Sequence, residues 1–66
     1  MKKLIGYSKQ ILTLKDFNNL KETHPLVSFV REERGWTLLL DKNNRPLYAG
    51  LATGEEVETK IYFYQP

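Results

Sequence analysis

Apolar and polar positions change rhythm several times along this 66-residue chain, and each change marks an element. The densest signal is residues 26–50, LVSFVREERGWTLLLDKNNRPLYAG, where short β-branched and aromatic runs separated by turn formers predict three antiparallel strands. Glu32-Glu33-Arg34-Gly35 places Gly where a type I turn followed by a left-handed residue needs positive φ, so a three-residue hairpin loop with a bulge is expected. Asp41-Lys42-Asn43-Asn44-Arg45 repeats the logic, with Asp opening the turn and Asn tolerating positive φ. Between the turns, Trp36-Thr37-Leu38-Leu39-Leu40 is nearly continuous in apolar character and reads as a central strand covered on both faces. Pro46 has no amide proton to donate and fits the start of the third strand.

Upstream the period shifts to that of a helix. Leu14, Phe17 and Leu20 recur at three-residue spacing, while Lys15, Asn18, Asn19 and Glu22 fall away from that stripe. Thr13 is placed to cap the first turn, with Asp16 three residues later, and Leu12 and Phe17 occupy the positions of a hydrophobic staple. The helix should end near Thr23, because Pro25 disfavours helical geometry at His24. About ten residues cannot hold a helix alone, so this one must pack on the sheet.

The two ends are harder to read. Lys2 to Tyr7 is a candidate strand with Leu4 and Ile5 as its apolar content, and Ser8 to Leu12 either extends it or connects it to the helix. At the other end, Thr53 to Glu56 has capping-box spacing, and Val57, Ile61 and Tyr64 have helical spacing. The same segment alternates Val57, Thr59, Ile61 and Phe63 with Glu58, Lys60, Tyr62 and Tyr64, and its β-branched and aromatic content favours a strand. That strand would send Val57, Ile61 and Phe63 into the core and leave Lys60, Tyr62 and Tyr64 on the other face. The expected architecture is a single α+β domain over residues 1–66, a small antiparallel sheet of four to five strands with one helix packed on one face.

Composition narrows the possible chemistry. A chain of this length buries only about 60% of the surface it exposes when unfolded, and without Cys it has no disulfide or thiolate metal site to add stability. A homodimer is one way to bury more. Met1-Lys2-Lys3-Leu4-Ile5 is like the start of a signal peptide, but the apolar run stops after two residues, so a cytoplasmic protein without a membrane span is expected. The net charge of +2 is too small to name a partner; five Lys against Asp16 and Glu22 in residues 1–25, and Glu55, Glu56 and Glu58 against Lys60 near the other end, give a mild polarity.

No pattern of a catalytic, metal or nucleotide site emerges. His24 stands alone beside Pro25 and reads as a turn residue; adjacent Glu32 and Glu33 would point to opposite faces of a strand and cannot act as a pair. Glu55, Glu56 and Glu58 read as a solvated face, and Asp41-Lys42-Asn43-Asn44 has too few acids for a calcium loop. Ser8 and Ser28 lack a neighbouring base, and Gly6, Gly35, Gly50 and Gly54 are scattered singly. A non-enzymatic module without metal or cofactor is therefore expected.

Binding is the more suggestive theme. Trp36, Tyr48, Tyr62 and Tyr64 together with Arg31, Arg34, Arg45 and Lys60 supply the aromatic and cationic groups of an interaction surface. A protein partner or self-association is the first reading. Single-stranded nucleic acid is the second, since such groups also stack bases and track phosphates; interleaved acids weaken it, and neither the aromatic submotif of RNA-recognition domains nor the GXXG loop of KH domains is present. Usage rich in Lys, Asn, Ile and Tyr is common in AT-rich bacterial and phage genomes, which makes a small phage-type or accessory regulator the concrete expectation.

Overall fold

The computed structural model describes residues 3–66; the expected strand start at Lys2 lies outside them. Its elements are β1 (Lys3–Thr13), α1 (Leu14–Thr23), β2 (Phe29–Glu33), β3 (Trp36–Leu40), β4 (Pro46–Thr53) and β5 (Glu56–Gln65). They form one five-stranded antiparallel sheet in the order β1-β5-β4-β3-β2, with α1 packed against it. The last four strands are a meander joined by short turns, as sequence neighbours usually are. The first strand crosses to the far side and pairs with the last.

Strand β1 runs through the stretch whose role the sequence left open. Ten of its residues pair with β5, from Lys3 opposite Gln65 to Thr13 opposite Glu56, with a bulge between Leu4 and Gly6. The backbone ladder accounts for this better than apolar content does, because Leu4, Ile5, Tyr7 and Ile11 all remain about half exposed or more. Residues 56–65 are a strand and not a helix. The Thr53–Glu56 spacing serves a tight hairpin in which those two residues face each other and Gly54, at φ 74, takes the left-handed position.

The turn between β2 and β3 differs from expectation. Glu33 sits directly opposite Trp36, so the loop is only Arg34 and Gly35, at φ 51 and 84. Two successive positive φ values are the pattern of a type I′ turn, whose twist matches the flanking strands, and not of a three-residue loop with a bulge. The β3–β4 loop follows its sequence closely. Asn44 has φ 64, and the Asp41 carboxylate accepts hydrogen bonds from the amides of Asn43 and Arg45, both at 2.9 Å.

The helix begins as its capping residues require. Thr13 Oγ1 accepts a hydrogen bond from the Asp16 amide at 3.1 Å, and the Leu14 amide donates to the Glu55 carbonyl of the β4–β5 turn at 2.9 Å. It ends at Thr23, with the His24 amide returned to the Leu20 carbonyl. Phe17 is its one buried residue and forms the core with Leu39 and Val57, against which Leu12, Leu20, Val27 and Tyr48 pack. Gly50 makes this seat possible. A Cβ there would lie 2.5 Å from the Phe17 ring and 2.8 Å from Val57 Cγ1, so the ring rests directly on the strand backbone.

Ten residues of helix cover only part of five strands. Phe63 is therefore left 49% exposed, against the expectation that it joins the core, and Leu14, at the head of the apolar stripe, is itself 41% exposed. Burial in strand β3 follows position along the strand: Leu39 and Leu40 at its end are buried, while Trp36, Thr37 and Leu38 are half-buried, against the expectation of cover on both faces throughout. The molecule measures 37 × 21 × 21 Å. No helix among the described residues is long and apolar enough to cross a membrane.

Candidate functional site: the open face of the sheet

Register and alternation sort the side chains. Val57, Thr59 and Ile61 of β5 lie opposite Ala52, Gly50 and Tyr48 of β4, and opposite Leu12, Gln10 and Ser8 of β1, all on the helix side. Their neighbours Glu58, Lys60 and Tyr62, with Leu51 and Ala49 of β4 and Trp36 and Leu38 of β3, point the other way. Among the described residues no element covers this second face.

Its centre is a shallow groove of about 240 Å³ walled by Trp36, Leu38, Ala49 and Tyr62. Lys60 crosses it. The ammonium lies 4.6 Å from the Trp36 ring centroid and 5.1 Å from that of Tyr7, so the cation is held between two aromatic faces. Tyr7 also meets Tyr62 in a tilted contact at 6.0 Å. Arg34 and Glu33 stand at the groove's rim, where the β2–β3 turn ends.

Two of the cations on this face are answered by carboxylates. Arg31 pairs with Glu33 at 3.5 Å, and Lys9 pairs with Glu58 at 3.8 Å. Such exposed pairs add little stability, on the order of 0–1 kcal/mol each, but they reduce the positive field that the cations would project. Lys60 is in neither pair.

Of the eight residues singled out from the sequence, Arg31, Arg34, Trp36, Lys60 and Tyr62 come together here. Tyr48 does not: it lies on the helix side, packed on the core and in edge contact with the His24 ring at 5.4 Å. Arg45 and Tyr64 form a separate group at the sheet's end. There the Arg45 guanidinium pairs with Asp41 at 3.1 Å and lies 5.8 Å over the Tyr64 ring, whose hydroxyl donates to the Pro46 carbonyl. Burial pushes the Tyr64 phenol up from its ordinary value of 10.0, with the Asp41 charge acting in the same direction. At Asp41 burial also acts upward, but hydrogen bonds from the Arg45 and Asn43 amides and from the Arg45 side chain outweigh it together, and the carboxyl sits below its ordinary value of 3.8. This cluster is structural, closing the β3–β4 loop against β5.

Tyr7, Leu38 and Leu51 belong to the open face and were missed. Tyr7, Lys9 and Ile11 alternate in β1, so a period-of-two reading of the first strand would have found the ring that holds Lys60. Among the described residues, no group of three or more His, Asp or Glu side chains is placed to hold a metal ion. No protein-family model, curated protein or solved structure matches the chain.

Proposed function

We propose that the protein is a cytoplasmic, non-enzymatic binding module, a small phage-type or accessory regulator, whose open sheet face takes a protein partner. The observation that supports this is the composition of the groove and its surround. An aromatic and aliphatic floor of Trp36, Leu38 and Tyr62, with Lys60 held against the Trp36 and Tyr7 rings, lies between two cations that are matched to carboxylates, Arg31 to Glu33 and Lys9 to Glu58. A protein interface uses such a floor, with Trp, Tyr and Arg as its anchors. A phosphate backbone needs unmatched positive charge along a track, and here acids interrupt the track.

Capture from native lysate tests this, with wild type and Trp36→Ala as baits, each with and without nuclease and after a melt that shows both are folded. The expected result is a protein retained by wild type through nuclease and high salt and lost with Trp36→Ala. Retention that nuclease abolishes, with oligonucleotide affinity falling steeply in salt by about 0.7 log units per phosphate contacted, would assign the face to single-stranded nucleic acid instead.

A further inference from the structure

We infer that the protein pairs with a second copy of itself through the free edge of β1, antiparallel and centred on Lys9, to give one continuous ten-stranded sheet. Strand β1 is an edge strand eleven residues long, bonded to β5 on one side and, among the described residues, to nothing on the other. Natural edges are protected by shortness, charge, Pro or bulges. The opposite edge, β2, has five residues, three of them the charged run Arg31-Glu32-Glu33. In β1 the bulge lies near the start, between Leu4 and Gly6, and beyond it Gly6 to Thr13 pairs without interruption and contains Lys9 as its one charge.

The register follows from side-chain matching about a twofold axis, as an isologous contact requires. Centring on Lys9 sets Tyr7 opposite Ile11 of the second copy, and Ile11 opposite its Tyr7, on the open face. Tyr7 and Ile11 are 52% and 59% exposed, and an aromatic residue facing a β-branched one is a favourable cross-strand pair. On the helix side the same register matches Ser8 with Gln10, polar with polar. Centring one residue later would set Ile11 against Lys9. The cost of the chosen register is Lys9 opposite Lys9, and Glu58 at 3.8 Å from each ammonium offsets it.

Surface area points the same way. The chain exposes 4882 Å², whereas a compact monomer of 7.8 kDa would expose about 4,400 Å². The excess of about 500 Å² is comparable with what one partner gives to a modest interface, roughly 800 Å² being standard. The inference does not depend on what the open face binds. Because the axis stands normal to the sheet, both open faces would lie on the same side of the dimer.

The native chain contains no Cys, so single-Cys variants test the register directly. Opposed residues in an antiparallel pair have Cα atoms about 4.5–5.5 Å apart, within the disulfide range. Under mild oxidation Lys9→Cys is expected to give a covalent dimer. Ile11→Cys is not, since the two copies of position 11 would be roughly 13 Å apart along the strands. Sedimentation across a wide concentration range should show a reversible wild-type dimer, weakened about tenfold or more by Ile11→Lys and unchanged by Phe29→Lys on the opposite edge. A wild-type protein that stays monomeric to its solubility limit would overturn the inference. So would a dimer weakened by Phe29→Lys but not by Ile11→Lys, or a covalent dimer from Ile11→Cys but not from Lys9→Cys.

Discussion

Two faces of one strand show how unevenly this small domain spends its side chains. On the helix side of β5, Val57 and Thr59 are 1% and 0% exposed, and Val57 packs with the Phe17 ring of α1. On the other side Lys60 and Tyr62 line a groove open to solvent, although Lys60 immediately follows Thr59 in the chain. The sheet is the same and the backbone ladder is the same. What differs is whether something covers it. Stability is therefore concentrated in the contact of α1 with the sheet, and the second face is left free to vary its chemistry without dismantling the core.

The sharpest way to break this contrast is to remove the covering ring. Phe17→Ala should cost roughly 3–5 kcal/mol, because it removes a side chain only 3% exposed from the centre of the one buried cluster. Tyr62→Ala, on the open face, should cost much less. Comparable losses for the two in denaturant melts would show that the faces carry the fold equally. An intermediate effect is expected at the seat beneath the ring. Gly50→Ala inserts a Cβ 2.5 Å from Phe17, and forcing the ring away should cost about 1–3 kcal/mol; an unchanged melting temperature would mean that the helix shifts freely over the sheet.

The smallest effect concerns pH and lies outside both faces. The folded pKa of Asp41 is depressed, so its contribution to stability is fully present above the ordinary value of 3.8 and is lost as pH falls through the lower folded value. Wild type should lose stability relative to Asp41→Asn across that acid window, while the gap between them stays constant from pH 5 to 7. A gap that does not change on acidification would remove Asp41 from the charges that support the loop.

The architecture was legible where local chemistry decides it. Thr13, Asp16 and Pro25 bracket the helix, Asn44 marks its turn, and alternation from Val57 onward identifies β5. Depth was less legible. Phe63 carries the right pattern but falls beyond the reach of a ten-residue helix, and Leu14, in the first turn of that helix, stays 41% exposed; no periodicity reports either. The Arg34-Gly35 turn was misread because Arg gives no sign that it will adopt positive φ; the direct pairing of Glu33 with Trp36 imposes it. For the candidate site, the aromatic and basic residues were found in the sequence but not their grouping. Tyr48 and Tyr62 look alike along the chain, and only the strand register places one under the helix and the other in the groove.

The pairing of the first strand with the last also bears on how the chain acquires its shape. Strands β2 to β5 are linked by turns of a few residues, and each hairpin can close almost as soon as its second half exists. The ladder between Lys3 and Gln65 must instead bring together segments from opposite ends of the sequence, at a much larger entropic cost of closure. The helix shares that dependence, because its opening amide, that of Leu14, donates to the Glu55 carbonyl of the β4–β5 turn. Closure entropy alone thus favours the meander as the part to form first and the docking of β1 and α1 as the later step.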